Sequence, residues 1–213
     1  MFFPKWTNKV VKLVLAGAVL AGGGVAAIAG IVHQPSFTDV GYQPIQPVPY
    51  SHKKHAGDMG IDCRFCHTSV EQSAVVIVPP TQTCMTCHKQ VKADSPRLAK
   101  VRESFETGKP IRWVKVHKLP DFVYFNHKAH VSAGVSCVSC HGRVDQMEEV
   151  QQVQPLNMSW CLDCHRDPAP HLRPKELVTK LDWVPPGDPA EIGREIVRVK
   201  NINPPLHCSG CHR

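Results

Sequence analysis

All ten cysteines of this 213-residue chain fall in one pattern, Cys-x-x-Cys-His, which occurs five times: Cys63/Cys66/His67, Cys84/Cys87/His88, Cys137/Cys140/His141, Cys161/Cys164/His165 and Cys208/Cys211/His212. Two thiols beside an imidazole can bind a metal or exchange a disulfide. They can also add across the two vinyl groups of a haem while the histidine reaches the iron. Zinc knuckles do not require a histidine after each second cysteine. Thioredoxin-like redox pairs do not recur five times in one small chain, and disulfides closing four-residue loops are geometrically poor. Histidine accounts for only 13 of the 213 residues, so its presence after every pair selects the attachment signature of c-type haem. The two thiols then form the covalent links and the adjacent histidine is the proximal ligand. The spacing predicts five covalent haems c.

A six-coordinate haem iron needs a second axial ligand. The other histidines are His33, His52, His55, His117, His127, His130, His171 and His207. His52 and His55 form a His-x-x-His pair just upstream of Cys63, and His127 and His130 form the same pair upstream of Cys137. Aligning "YSHKKH…CRFCH…CMTCHK" with "FNHKAH…CVSCH…CLDCHR" exposes an internal repeat of about 75 residues, each copy holding one pair and two motifs. Two side chains three residues apart can address different irons, so each pair is expected to serve two haems. For the fifth distal ligand His117 is favoured and Met147 is the alternative, with Met158, His171 and His207 as further candidates. His207 adjoins Cys208, which makes it a strained ligand for its own haem. A His/Met haem would hold the higher potential, whereas a methionine can equally fill gaps against a flat macrocycle.

The remaining sequence must position these groups. Leu13 to Val32 is a run of twenty residues without a charge, about the length that crosses a hydrocarbon core. Lys5, Lys9 and Lys12 precede it, which predicts residues 1–9 in the cytoplasm, a membrane helix over 10–33 and everything later outside. Ala27-Ile28-Ala29 resembles a signal-peptidase site, but the length favours an uncleaved anchor. Residues 34–49 read as a proline-rich tether. Residues 50–116 form a first haem module with a connecting helix, in which Ser95 is the N-cap, Pro96 opens the first turn, Leu98, Val101 and Phe105 form the stripe and Gly108 is the C-cap. Residues 117–172 form a second module. Residues 173–213 form an extended arm, with a short helix near Pro189–Val197, that carries the fifth motif. Only 7% of the residues are aromatic and 19 are proline, a modest supply for a side-chain core. The expected fold is therefore mostly α and irregular, without extended sheet, its core built around stacked haems. Five haems would add about −10 of propionate charge to the formal +7, so the basic balance carries no nucleic-acid reading.

The repeat resembles the two-module pattern of multihaem cytochromes of the c3/c7 type. That resemblance implies that His52 faces the haem of His67 and His127 that of His141, with His55 and His130 serving the haems at His88 or His165. Taken as a whole, the anchor, the two modules, the terminal fifth motif and the size resemble the pentahaem cytochrome subunit of bacterial alternative complex III. This implies a single-pass protein of the bacterial inner membrane with its haem domain on the periplasmic side. The implied partners are integral-membrane menaquinol-oxidising subunits, an iron–sulfur subunit, and a monohaem cytochrome c or terminal oxidase as acceptor. Two other readings stay open: a free-standing quinol dehydrogenase feeding a periplasmic reductase, and an electron-input subunit of a quinone reductase. An enzyme with an open haem iron is a third, and no residue marks such an iron. The expected role is electron relay without catalysis by the chain itself.

Overall fold

The computed structural model describes Pro4, residues 6–32 and residues 39–212. Lys5, the candidate ligand His33 and tether residues 34–38 lie outside the described residues. Helix α1, Thr7–Val32, contains no buried residue and reaches a mean hydropathy of 2.1 over its most apolar window. Its 26 residues extend about 39 Å, so length and composition suffice to cross a membrane.

Beyond α1 the fold is a succession of short helices and turns. Among the described residues there is no strand, only two isolated bridges, Val123 with His212 and Val135 with Leu172. Four motifs sit on short helices: α2 (Cys63–Cys66), α3 (Thr81–His88), α6 (Cys137–His141) and α7 (Met158–Arg166). The fifth occupies a 3-10 turn, Cys208–Gly210. The helix expected after Ser95 opens as a 3-10 turn, Pro96–Leu98, and continues as α4, Ala99–Thr107. Ser95 makes no side-chain cap. Instead the Arg102 guanidinium donates to the carbonyls of Ala93 and Ser95, at 2.6 and 3.0 Å, and ties the turn down. Gly108 ends α4 at φ 70°, the left-handed conformation for which glycine carries no steric penalty.

Side-chain burial is sparse. Eight apolar residues are buried among those described: Val48, Met85, Val101, Val131, Ala169, Leu172, Val178 and Leu181. The first three form one cluster in which the tether's Val48 packs on α3 and α4 beside Trp113 and Phe105. The exposed surface is 14,768 Å², against about 9,800 Å² for a compact monomer of this mass.

Residues 173–207 are not the extended arm that their composition suggests. Val178 is fully buried, and its carbonyl accepts both the Cys137 backbone N–H at 3.1 Å and the Ser136 hydroxyl at 2.8 Å. Arg173 donates its N–H to Gly134 at 3.0 Å. Helix α8, Pro189–Lys200, opens on an Asp188 cap and runs three residues past the expected end. It packs on the turn Ala169–His171, with Gly193 lying against the Ala169 carbonyl. The reason for the difference is that the arm's apolar residues are widely spaced. They find partners across the chain where local periodicity offers none.

A Cβ at Gly193 would collide with the Ala169 carbonyl, so Gly193→Val should displace α8 and destabilise the protein by about 2–4 kcal/mol. Thermal unfolding followed by circular dichroism measures this; an unchanged midpoint would show that the contact is not needed.

Candidate haem sites

Each motif helix is set by its neighbours. The Asp62 carboxylate caps α2, accepting from the Arg64 backbone N–H at 2.8 Å and from the Arg64 guanidinium at 2.9 Å. It also accepts from the Thr179 hydroxyl at 2.9 Å. These contacts, led by the Arg64 side chain, hold the Asp62 carboxyl well below the usual carboxylate range. Asn157 caps α7 through the Trp160 N–H at 2.9 Å. Tyr124 donates its N–H to the Cys211 carbonyl at 2.8 Å, and the Val123–His212 bridge fixes the fifth motif beside it. None of the ten cysteines is in a disulfide, so every thiol is available for a thioether bond.

The two upstream histidine pairs stand on different backbones. His52 precedes a π-helical turn, Lys53–Asp58, whereas His127 and His130 lie on an α-helix, α5 (His127–Ala133). Their surroundings nevertheless match closely. Tyr50 meets His52 edge-on at 4.8 Å and stacks on His55 at 4.5 Å. Phe125 meets His127 edge-on at 4.6 Å and stacks on His130 at 4.5 Å. An aromatic ring two residues before the pair thus orients both imidazoles. The signal was present in the sequence as Tyr50 and Phe125 at equal offsets, and reasoning from ligand residues alone passes over it.

Six of the imidazoles direct Nδ1 at a backbone carbonyl. His55 donates to Ser51 at 2.8 Å, His67 to Ile77 at 3.4 Å and His88 to Val91 at 2.9 Å. His127 donates to Ala74 at 3.1 Å, His130 to Asn126 at 2.8 Å and His165 to Pro205 at 2.9 Å. A carbonyl only accepts, so each Nδ1 carries the proton and each Nε2 keeps its lone pair. That is the tautomer a metal-ligating imidazole requires. Burial, followed by the neighbouring His67 and His55, lowers the His52 pKa to about 4. Burial, followed by His117, His127, His67 and His52, lowers that of His141 to about 3. Both rings are neutral at pH 7, as ligation also requires.

Ring separations test the fit to haem. Two imidazoles on opposite sides of one iron should have ring centres roughly 6 Å apart, from an Fe–N bond of about 2 Å and about 1 Å from nitrogen to ring centre on each side. His55 and His88 are 6.2 Å apart, His130 and His165 6.1 Å, and His127 and His141 6.5 Å with planes 8° apart. Beside His67, Phe65, Val75, Ile77 and Val78 are all more than half exposed, an apolar surface of the kind a macrocycle would cover. The donor set and the geometry fit the group.

The candidates for a fifth distal ligand lie elsewhere. His117 stands against His141, with ring centres 4.3 Å apart and Nδ1 of His141 3.4 Å from Nε2 of His117. The Met147 side chain lies near Gly142 and Val153, and its carbonyl accepts the Lys53 N–H at 2.9 Å. Met158 and His171 are exposed, and His207, also exposed, sits 3.2 Å from the Ser209 hydroxyl. The ring recorded next to His212 is Phe122, at 5.7 Å.

No protein-family profile matches the chain. A curated relative from Nitratidesulfovibrio vulgaris, described as the multihaem cytochrome c subunit of a menaquinone reductase, is 37% identical over 100 residues. The match covers 46% of this chain and 47% of the relative, so it spans about half the length of each. The likeness supports a multihaem c-type cytochrome with covalently bound haem c.

Two substitutions probe these contacts. Phe125→Ala should cost about 2 kcal/mol and broaden the low-spin ferric signals of the haems facing His127 and His130 in electron paramagnetic resonance. The Asp62 carboxyl titrates below its usual value, so its stabilisation is complete above about pH 4 and is lost as the pH falls through the lower folded-state value. Asp62→Asn should therefore cost about 1 kcal/mol at pH 7, reduced by its solvent exposure, and should flatten the fall in melting temperature between pH 5 and pH 2.

Proposed function

We propose that the chain is a membrane-anchored pentahaem electron-transfer subunit of a quinone-linked oxidoreductase, working as the cytochrome subunit of alternative complex III. The observation that carries this reading is the set of imidazoles with Nδ1 fixed to carbonyls, paired at separations suited to one iron and set among five attachment motifs. Cys63/Cys66, Cys84/Cys87, Cys137/Cys140, Cys161/Cys164 and Cys208/Cys211 would hold the haems, with His67, His88, His141, His165 and His212 as proximal ligands. The distal ligands would be His55 opposite His88, His130 opposite His165, His127 opposite His141, and His52 serving His67. His117 or Met147 would supply the one remaining distal ligand. Bound haem supplies one-electron exchange between ferric and ferrous iron. The chain's own contribution is ligation, orientation and exclusion of water, through the carbonyls behind the rings and through Tyr50 and Phe125.

Helix α1 would anchor the chain in the bacterial inner membrane, with the modules over 50–116, 117–172 and 173–213 on the outer side. One helix offers little of a quinone pocket, so quinone chemistry falls to integral-membrane partners, with an iron–sulfur subunit and a monohaem cytochrome or terminal oxidase on the route. Electrons would run outward from menaquinol. The curated relative favours a second reading, in which they run inward and the chain feeds a menaquinone reductase.

Mild-detergent extraction, native electrophoresis with haem staining and mass spectrometry of the stained band test the assignment. Co-migration with polytopic and iron–sulfur subunits and quinol-driven reduction of the haems are expected. Migration alone would leave a free-standing quinol dehydrogenase as the better account. His130→Ala should leave all five haems attached and turn one high-spin; a wholly low-spin spectrum would remove His130 from the ligand set.

A further inference from the structure

The motifs do not follow one another in space as they do in sequence. Two adjacent residues tie the first motif to the third: the Thr179 hydroxyl donates to Asp62, next to Cys63, at 2.9 Å, and the Val178 carbonyl accepts the Cys137 N–H at 3.1 Å. His52 and His55, ahead of the first motif, flank one Tyr50 ring at 4.8 and 4.5 Å, so the pair is a single unit.

Ring and backbone contacts give the other neighbours. His55, from the pair ahead of the first motif, reaches His88 of the second. His127 faces His141 of the third while His130, one turn on, faces His165 of the fourth. His165 donates to the carbonyl of Pro205, just before the fifth motif. Exposure is an independent marker: of the ten cysteines only Cys87 and Cys208 are exposed. They belong to the two motifs that have a single motif as neighbour.

We infer that the haems form one unbranched row in the order second, first, third, fourth, fifth, and that the haems on Cys84/Cys87 and Cys208/Cys211 are the two ports where electrons enter and leave. This rests on the reading that all five motifs hold haem. The haem attached first in the sequence is then an interior relay, and the crossing between the repeated modules lies where Val178 and Thr179 join Cys137 to Asp62. Each step moves one electron: the donor iron goes from ferrous to ferric as its neighbour goes from ferric to ferrous, and no proton is required. One port faces a partner fed by the quinone/quinol couple, and the other faces a one-electron redox protein.

The test is the iron positions in the detergent-solubilised holo-assembly, determined by electron cryo-microscopy, with the haem count of the same sample taken from its pyridine haemochrome. The expected row, labelled by proximal ligand, is His88, His67, His141, His165, His212, with the His67 and His141 irons adjacent. Five haems with the His88 or His212 iron lying between two others would overturn the order and leave the occupancy reading standing. Fewer than five haems would overturn the occupancy reading, and the row with it.

Discussion

A carbonyl oxygen placed behind an imidazole decides which of its two nitrogens is free to bind iron, and this interaction recurs at six of the chain's histidines. A hydrogen bond fixes the tautomer before any metal arrives and sets the ring's direction. The turns at Ser51, Ala74, Ile77, Val91, Asn126 and Pro205 therefore belong to the candidate sites, although none carries a candidate ligand side chain. Much of what resembles loop in this molecule is backbone shaped to present a carbonyl at the right place. The scarcity of regular structure follows from that demand together with the small number of buried apolar side chains.

The attachment chemistry was legible in the sequence because it depends on residue type and spacing. Cys-x-x-Cys-His has few competing uses when repeated without a spare cysteine, and His-x-x-His at matching offsets is visible by eye. The terminal helix α1 was legible too, since uncharged length is a direct readout of the solvent it suits. The pairing of His55 with His88 and of His130 with His165 could not be read, because separation in sequence says nothing about which ring lies across from which. The carbonyl partners were equally hidden: any residue supplies one, and only the backbone path selects it.

The tail shows a different limit. Residues 173–181 contain two buried apolar side chains, Val178 and Leu181, yet their spacing matches neither a helix nor a strand. Burial there comes from pairing with the Gly134–Cys137 segment, a long-range match that no local window detects. The turn at Pro96–Leu98 is a smaller case. Ser95 and Pro96 correctly mark where a helix begins, but Arg102 reaches back to the Ala93 and Ser95 carbonyls and tightens the opening turn to 3-10 geometry.

Lys200 donates to the carbonyls of Ser132 and Ala133, at 2.9 and 3.4 Å, across the end of α5. Those carbonyls belong to the helix that carries His127 and His130, so the last residue of α8 completes a structure begun far earlier in the chain. On a chain made from its N-terminus, this end of the helix gains its cap only once residue 200 has emerged. Closure of α8 thus works as a latch, set last on a helix whose histidines come first.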